Sequence, residues 1–192
     1  MIKRFPLYHS DLFVLENIGT DNQVNALVEQ IKKEKQQSPA TDLTNRGCWR
    51  SIKWWNDVDW LGQAVCTLAE TASTHYKELD PNFEKGSKFK LGMWTNVNDP
   101  NSKNVMHNHV RDVFAAVYYV QGEDTGDLRL VNASNTMQDL NPFSPFSRDF
   151  RYAPKNRSLI LWPAWVPHEV ETNLSNKQRI NIAFNVNFDN EL

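Results

Sequence analysis

Between Asn22 and Lys35 the apolar residues Val24, Leu27, Val28 and Ile31 stand three, four and seven positions from the first, which puts them on one face of a helix. Asp21 or Asn22 can cap its start, and the polar run KKEKQQSP closes it before Pro39. The pattern returns from about Asp59 to Tyr76, carried by Leu61, Val65, Leu68, Ala69, Ala72 and Tyr76. Each helix has a single apolar stripe, so each covers another layer rather than standing free.

The covered layer reads as a sheet. Val113 to Val120, VFAAVYYV, is rich in β-branched and aromatic residues, short for a helix, and apolar on both faces, which predicts a central strand. Lys88 to Val97, Asp127 to Asn132, Phe150 to Tyr152, Ser158 to Trp162 and Arg179 to Phe188 are further strand candidates. In the last, Ile180, Ile182, Phe184, Val186 and Phe188 alternate with Arg179, Asn181, Ala183, Asn185 and Asn187. One face of that strand is an apolar wall, and the other carries polar groups that must be hydrogen-bonded, hydrated or used for binding. Short strands joined by Gly, Pro and Asn turns late in the chain predict a mainly β double-sheet roll with the early helices outside. Asn132 to Asp149, including NPFSPFSRD, is polar and Pro-interrupted and reads as a long rim loop, with Phe143 and Phe146 as its anchors.

Composition narrows the possibilities without choosing among functions. A chain of 192 residues, 40% hydrophobic and 23% charged, supports one well-filled core and is short for two ordinary domains. The expected layout is a single domain over 1–192, with helices mainly in 20–80 and strands mainly in 88–190. With 21 Lys and Arg against 23 Asp and Glu, the formal charge of -2 gives no strong field for nucleic acid or an anionic membrane, and no dense basic run appears. Cys48 and Cys66 are not in a Cys-x-x-Cys spacing, so neither a disulfide scaffold nor a thiolate zinc site is expected, and a reducing compartment fits. The opening MIKRFPLYHS lacks the apolar segment of a signal peptide, and no run of about 18 apolar residues occurs, so the expectation is a soluble cytoplasmic protein. Dinucleotide-binding and Walker glycine motifs are missing, so no nucleotide cofactor is expected.

The candidate chemistry lies in the histidines. His107 and His109 are one residue apart, so an extended backbone points both imidazoles to one side. His168, after a strand and Pro167, is the natural third ligand. Three histidines leave open positions on an octahedral iron; the competing interpretation is of ordinary surface or hydrogen-bonding histidines. His9 and His75 have no partner spacing and carry no site. Arg179 shares a strand face with Asn181, and its guanidinium suits either an acid of the chain itself or a bound carboxylate held bidentately. Most of the seven tryptophans read as packing, with Trp94 and Trp165 as candidates for the mouth of a site. Arg111 and Arg129 read as solvent-exposed cations, with a substrate-facing role as the alternative.

Several segments resemble the iron(II)- and 2-oxoglutarate-dependent oxygenase superfamily, in particular a family of 2-oxoglutarate-Fe(II) oxygenases of bacteria and marine phages. They are GCWRS at Gly47 to Ser51, MWTNVNDPNSKNVMHNHVRD at Met93 to Asp112, AVYYVQ at Ala116 to Gln121, TGDLRLVNAS at Thr125 to Ser134, LILWPAWVPHEVETN at Leu159 to Asn173, and RINIAFN at Arg179 to Asn185. The last pieces, with His168 eleven residues before Arg179, are the most specific. The resemblance implies a double-stranded β-helix, or jelly roll, of cupin-like shape with iron at one open end. It implies His107 and His168 as ligands, and Arg179 as the partner of the distal carboxylate of 2-oxoglutarate, with Asn181 beside it. Tyr119 matches a residue that hydrogen-bonds the cosubstrate, and Tyr118 takes that place if a bulge shifts the register. Dioxygen completes the cosubstrates.

One position departs from the family pattern. Where an Asp or Glu is usual the chain has His109, which raises the formal charge of the iron site by one. Asp112 is the alternative carboxylate if the segment is a loop. Halogenating relatives put a small residue there to admit a halide, whereas His109 would fill the position, so halogenation is not expected. The leading expectation is a hydroxylase acting on an unspecified small-molecule or peptide acceptor. The alternatives are a cupin-like iron dioxygenase that needs no 2-oxoglutarate, for which Arg179 has no evident use, and a non-catalytic jelly-roll binding or structural module.

Overall fold

The computed structural model describes residues 10–41, 43–51, 58–86, 88–131 and 149–189. His9, Trp54, Trp55, Phe143, Phe146 and nearly all of the expected rim loop lie outside the described residues.

Strands β1 (Phe13–Leu15), β2 (Asn45–Arg50), β3 (Phe89–His107), β4 (Phe114–Gln121), β5 (Leu128–Leu130), β6 (Phe150–Tyr152), β7 (Leu159–Pro163), β8 (His168–Val170) and β9 (Arg179–Phe188) form one curled antiparallel sheet. Helices α1 (Asp21–Gln37) and α2 (Asp59–Leu79) lie between the first strands in sequence. Strand order is β1-β7-β4-β9-β3-β8-β5-β6, with β2 paired to β3 off this path. The molecule is thus mainly β, a double-stranded β-helix with two supporting helices.

The roll closes because β3 belongs to both of its sides. Phe89 to Asn98 pair residue by residue with β9, after which Asn104 and His107 pair with Val170 and His168 of β8. The corner lies at Asp99 to Ser102, where Asn101 has φ +66, a left-handed conformation that Asn tolerates better than most residues. The sequence pattern stopped this strand at Val97, because the polar NDPNSKN that turns the corner has no alternation to read.

Thr20, rather than Asp21 or Asn22, caps α1: its hydroxyl accepts from Gln23 N, and the Gln23 side chain accepts from Thr20 N. The helix ends at Ser38, just before Pro39, as its breaker requires. Leu27 and Ile31 of α1 and Leu61, Val65, Leu68, Ala69 and Ala72 of α2 are buried. They pack in one cluster with Phe114, Ala116 and Tyr118 of β4 and with Ile180, Ile182, Phe184 and Val186 of β9. The intervening residues of the same strands point the other way: Ala115 and Tyr119 join Ile160, Trp162, Leu128 and Leu130 in a second cluster inside the roll. Strand parity therefore assigns one face of the main sheet to the helices and the other to the interior. The polar face of β9 lies on the interior side, and Arg179, Asn181 and Ala183 are buried there.

Candidate metal centre and carboxylate pocket

Pairing of β3 with β8 sets His107 directly opposite His168, with ring centroids 4.3 Å apart. His109 lies just beyond the end of β3, not in an extended run, and its backbone N–H donates to Ala164 O at 3.0 Å. That tether turns its ring back to 5.1 Å from His107 and 5.2 Å from His168. One ligand atom from each of the three lies within 4.8 Å of the other two, so the sequence-predicted trio converges.

The surroundings suit metal ligation. His107 Nδ1 donates to Val105 O at 2.8 Å and His168 Nδ1 to Val166 O at 3.0 Å. A carbonyl can only accept, so each bond fixes the proton on Nδ1 and leaves Nε2 with a lone pair for a metal. All three rings are held neutral. Burial pushes His168 down to about 3, aided by the nearness of His107 and His109. Burial, then His107 and Arg50, takes His109 down to about 4, and His107 is lowered for the same first reason. A neutral imidazole is the ligating form, and the donor set fits a borderline divalent ion such as Fe(II). Asp112 is not part of this cluster: Asn187 Nδ2 donates to its Oδ1 at 2.5 Å.

Deeper in the roll, Arg179 is fully buried. Its Nη1 donates to Thr125 O at 2.9 Å and Gly126 O at 3.2 Å, while Nε and Nη2 have no partner. Gly126 has φ +92, and a Cβ there would come 2.7 Å from Glu171 O, so only glycine suits this turn. None of the described acids forms an ion pair with Arg179, and burial lowers its pKa. A guanidinium in that state is a receptor for a carboxylate from outside the chain. This is the observation by which the interior fits 2-oxoglutarate.

Tyr119 and Asn181 are cross-strand partners, and Asn181 is in turn partnered by Asn96. The three side chains line one cavity with His107, His109 and His168. Asn96 Nδ2 donates to Asn181 Oδ1 at 3.0 Å, which leaves the Asn181 amide N–H groups as its free donors. Tyr119 is buried beside Arg179, and desolvation raises its pKa, so it is a hydroxyl donor at neutral pH. Tyr118 does not reach the cavity; it faces the helices, donates to Ile18 O at 2.8 Å and packs edge-on against Trp60. The register has no bulge before Tyr119, so of the two phenols it is Tyr119 that lines the cavity.

Of the remaining candidates, Trp94 lines the cavity and Trp165 stands 47% exposed, outside its lining. Arg129 is bound instead by Asp149 and Glu169, with Nε to Oδ2 2.8 Å and Nη1 to Oε1 2.7 Å, and Arg111 is exposed. His75 pairs with Asp11 at 3.0 Å, away from the site. Two residues escaped the sequence reading. Trp162 lies edge-on to His168 at 4.9 Å, with its Nε1 buried and unpartnered; its parity with Ile160 was the available signal. Arg50 lies over the Trp94 ring, and nothing in the sequence announces a contact between residues so far apart.

In the described residues no helix is long and apolar enough to cross a membrane. Solved structures of similar fold include a prolyl-4-hydroxylase from Pseudomonas putida, 14% identical with a TM-score of 0.62, covering 92% of each chain. A prolyl hydroxylase from Trichoplax adhaerens, in complex with a hypoxia inducible factor oxygen degradation domain peptide fragment, is 14% identical with a TM-score of 0.67, over 93% of this chain and 83% of that one. HygX from Streptomyces hygroscopicus, with nickel, 2-oxoglutarate and hygromycin B bound, is 11% identical with a TM-score of 0.58, over 93% of this chain and 83% of that one. None of the curated proteins matches the chain. Residues 92–185 match the family model described as "Putative 2OG-Fe(II) oxygenase". That stretch holds all three clustered histidines and the carboxylate-receptive Arg179, on a fold shared with solved oxygenases: over it the chain is similar to the 2OG-Fe(II) oxygenase family.

Proposed function

We propose that the chain is a hydroxylase in which His107, His109 and His168 hold ferrous iron while Arg179, Tyr119 and Asn181 hold 2-oxoglutarate. The observation that carries this reading is the presence, in one roll interior, of three converging neutral imidazoles, two of them with the ε-nitrogen left free, and a buried guanidinium with two unpartnered nitrogens. When bound, iron, 2-oxoglutarate and dioxygen supply the oxidising power, with decarboxylation of the keto acid to succinate coupled to oxidation of an acceptor C–H bond.

The chain's own residues bind, orient and shield. Arg179 grips the distal carboxylate with its free Nε and Nη2 edge, and Tyr119 and the Asn181 amide donate to the same anion. Leu128, Val170 and Trp162 line the cavity and limit access of water to it. His109, in place of a carboxylate, leaves the ferrous ion its full double charge, of which the cosubstrate dianion cancels one at the metal. The acceptor is a small molecule or a peptide, in keeping with a fold on which hygromycin B and a peptide fragment have been seen bound in HygX and the Trichoplax adhaerens enzyme. Free Cys48 and Cys66 suit a reducing cytoplasm.

Anaerobic calorimetry of 2-oxoglutarate with and without ferrous iron tests the reading on the wild type, His107→Ala and Arg179→Ala. Iron-dependent binding that is lost in both variants is the expected result. Tight iron binding without any 2-oxoglutarate signal would sink it and promote the cupin-like dioxygenase, the alternative that the all-histidine set favours.

A further inference from the structure

Cross-strand partners share a face of a sheet, and one row of partners runs across four strands of the roll. Tyr119 of β4 opposes Asn181 of β9, Asn181 opposes Asn96 of β3, and Asn96 opposes Arg50 of β2. The first three line the cavity, so the row delivers the Arg50 side chain to the edge of the same interior, on the side away from β4. There its guanidinium carbon stands 4.6 Å from the centre of the Trp94 ring. Trp94 itself lines the cavity, with its ring 6.1 Å from that of His109.

Among the described residues no acid pairs with Arg50, and its Nε is buried without a hydrogen-bond partner. The carboxylates that flank the cluster in sequence are engaged elsewhere: Asp112 by Asn187, Glu169 by Arg129, and Glu171 by Arg151. The indole beneath fixes the guanidinium plane and leaves its hydrogen-bonding edge for a ligand.

Charge bookkeeping says what this cation is for. A ferrous ion on three neutral histidines, Arg179 and Arg50 together bring four positive charges, and the 2-oxoglutarate dianion cancels two of them, one at the metal and one at Arg179. The distal carboxylate answers Arg179. Arg50 remains, beside the metal and stacked on a wall of the cavity.

We propose that Arg50, held on Trp94, is the acceptor-binding cation of this enzyme, and that the acceptor carries an anionic group, a carboxylate or similar oxyanion, next to the carbon that is oxidised. The proposal rests on the iron and 2-oxoglutarate reading above and deepens it. Val110, 85% exposed, and Trp165, 47% exposed, follow His109 and Ala164 directly in the chain, and the His109 to Ala164 hydrogen bond brings the two segments together. An apolar body attached to the anion therefore has a surface to lie on.

Benzoate is the probe, an anion with an apolar body, and benzamide is its neutral isostere. Calorimetry is run on metal-free protein and on anaerobic ferrous protein saturated with 2-oxoglutarate, where Arg179 and the metal are already occupied. The expected result is benzoate binding in both samples, none with benzamide, and a dissociation constant raised at least about tenfold in Arg50→Gln. Arg50→Lys should recover part of the loss, because it keeps the charge without the planar fork. Circular dichroism and iron content of each variant separate loss of the site from loss of the fold. Absence of benzoate binding, equal binding of benzamide, or an Arg50→Gln value within about twofold of wild type each overturns the proposal. If 2-oxoglutarate fails to bind while the benzoate pattern holds on metal-free protein, the anion site stands and the oxygenase reading falls instead.

Discussion

At the scale of single residues, the site is built from groups that the fold would be more stable without. Arg179 is fully buried with Nε and Nη2 unsatisfied, an arrangement that costs free energy until a carboxylate arrives. Replacement by an apolar side chain of similar length removes that cost. Arg179→Met is expected to raise the unfolding free energy of the ligand-free protein by about 1–3 kcal/mol in urea titration while abolishing 2-oxoglutarate binding. A destabilised variant would mean that the two carbonyl bonds of Nη1 outweigh the buried charge. The adjacent tyrosines offer a sharper comparison, since they point to opposite faces of β4. Tyr119→Phe should weaken 2-oxoglutarate binding about tenfold or more, the worth of a hydrogen bond to a charged group, with little effect on folding. Tyr118→Phe should cost about 1 kcal/mol of stability, through the lost bond to Ile18 O, and leave cosubstrate affinity alone. Calorimetry and denaturation on both variants read the two effects separately, and a reversed pattern would return the role to Tyr118.

At the scale of elements, β9 does two jobs at once, and its period-two pattern shows both. Ile182 faces the helices at zero exposure, while Arg179 and Asn181 share the opposite face and Asn181 lines the cavity. Ile182→Ala is expected to lower stability by about 2–5 kcal/mol through the cavity it leaves, with 2-oxoglutarate affinity unchanged in whatever fraction stays folded. A parallel loss of affinity in the folded protein would show that the two faces are coupled. The same alternation explains what was legible in the sequence. Both helices and β9 announce themselves through runs of a single period, β4 and β7 through continuous apolar residues, and parity alone placed Tyr119 with Ala115 and Val117. The rest lacked such a run. β1 and β8 are three residues each, and β2 is a mixed NRGCWR. The β3 corner is polar throughout. The His-x-His spacing put His107 and His109 on one side, but it does not show that the His109 backbone is tethered to Ala164, a contact between distant segments. Arg50 and Trp94, and Trp162 and His168, likewise meet only through tertiary pairing, which local pattern does not encode.

At the scale of the whole molecule, a formal charge of only -2 conceals an interior that is strongly biased against further positive charge. Three histidines stand together with Arg179 and Arg50 nearby, and burial holds His109 and His168 down to about 4 and 3. In the unfolded chain each of these imidazoles takes up a proton near its ordinary value of about 6.5. Between that value and about pH 4 the unfolded state therefore binds protons that the metal-free fold refuses. Stability is at its full value above about pH 6.5 and falls as the solution is made more acidic, by up to roughly 1.4 kcal/mol per pH unit for each histidine fully in that window. Urea titrations in chelator at pH 7, 6 and 5 are expected to show this decline. His168→Gln, which removes the most depressed of the three groups, should flatten it by about 1 kcal/mol per pH unit. A wild-type profile that is level across this range, or a variant that parallels it, would show that the imidazoles accept protons in the folded state as readily as in the unfolded one. The cluster would then not be the dry, neutral donor set on which selective metal binding depends.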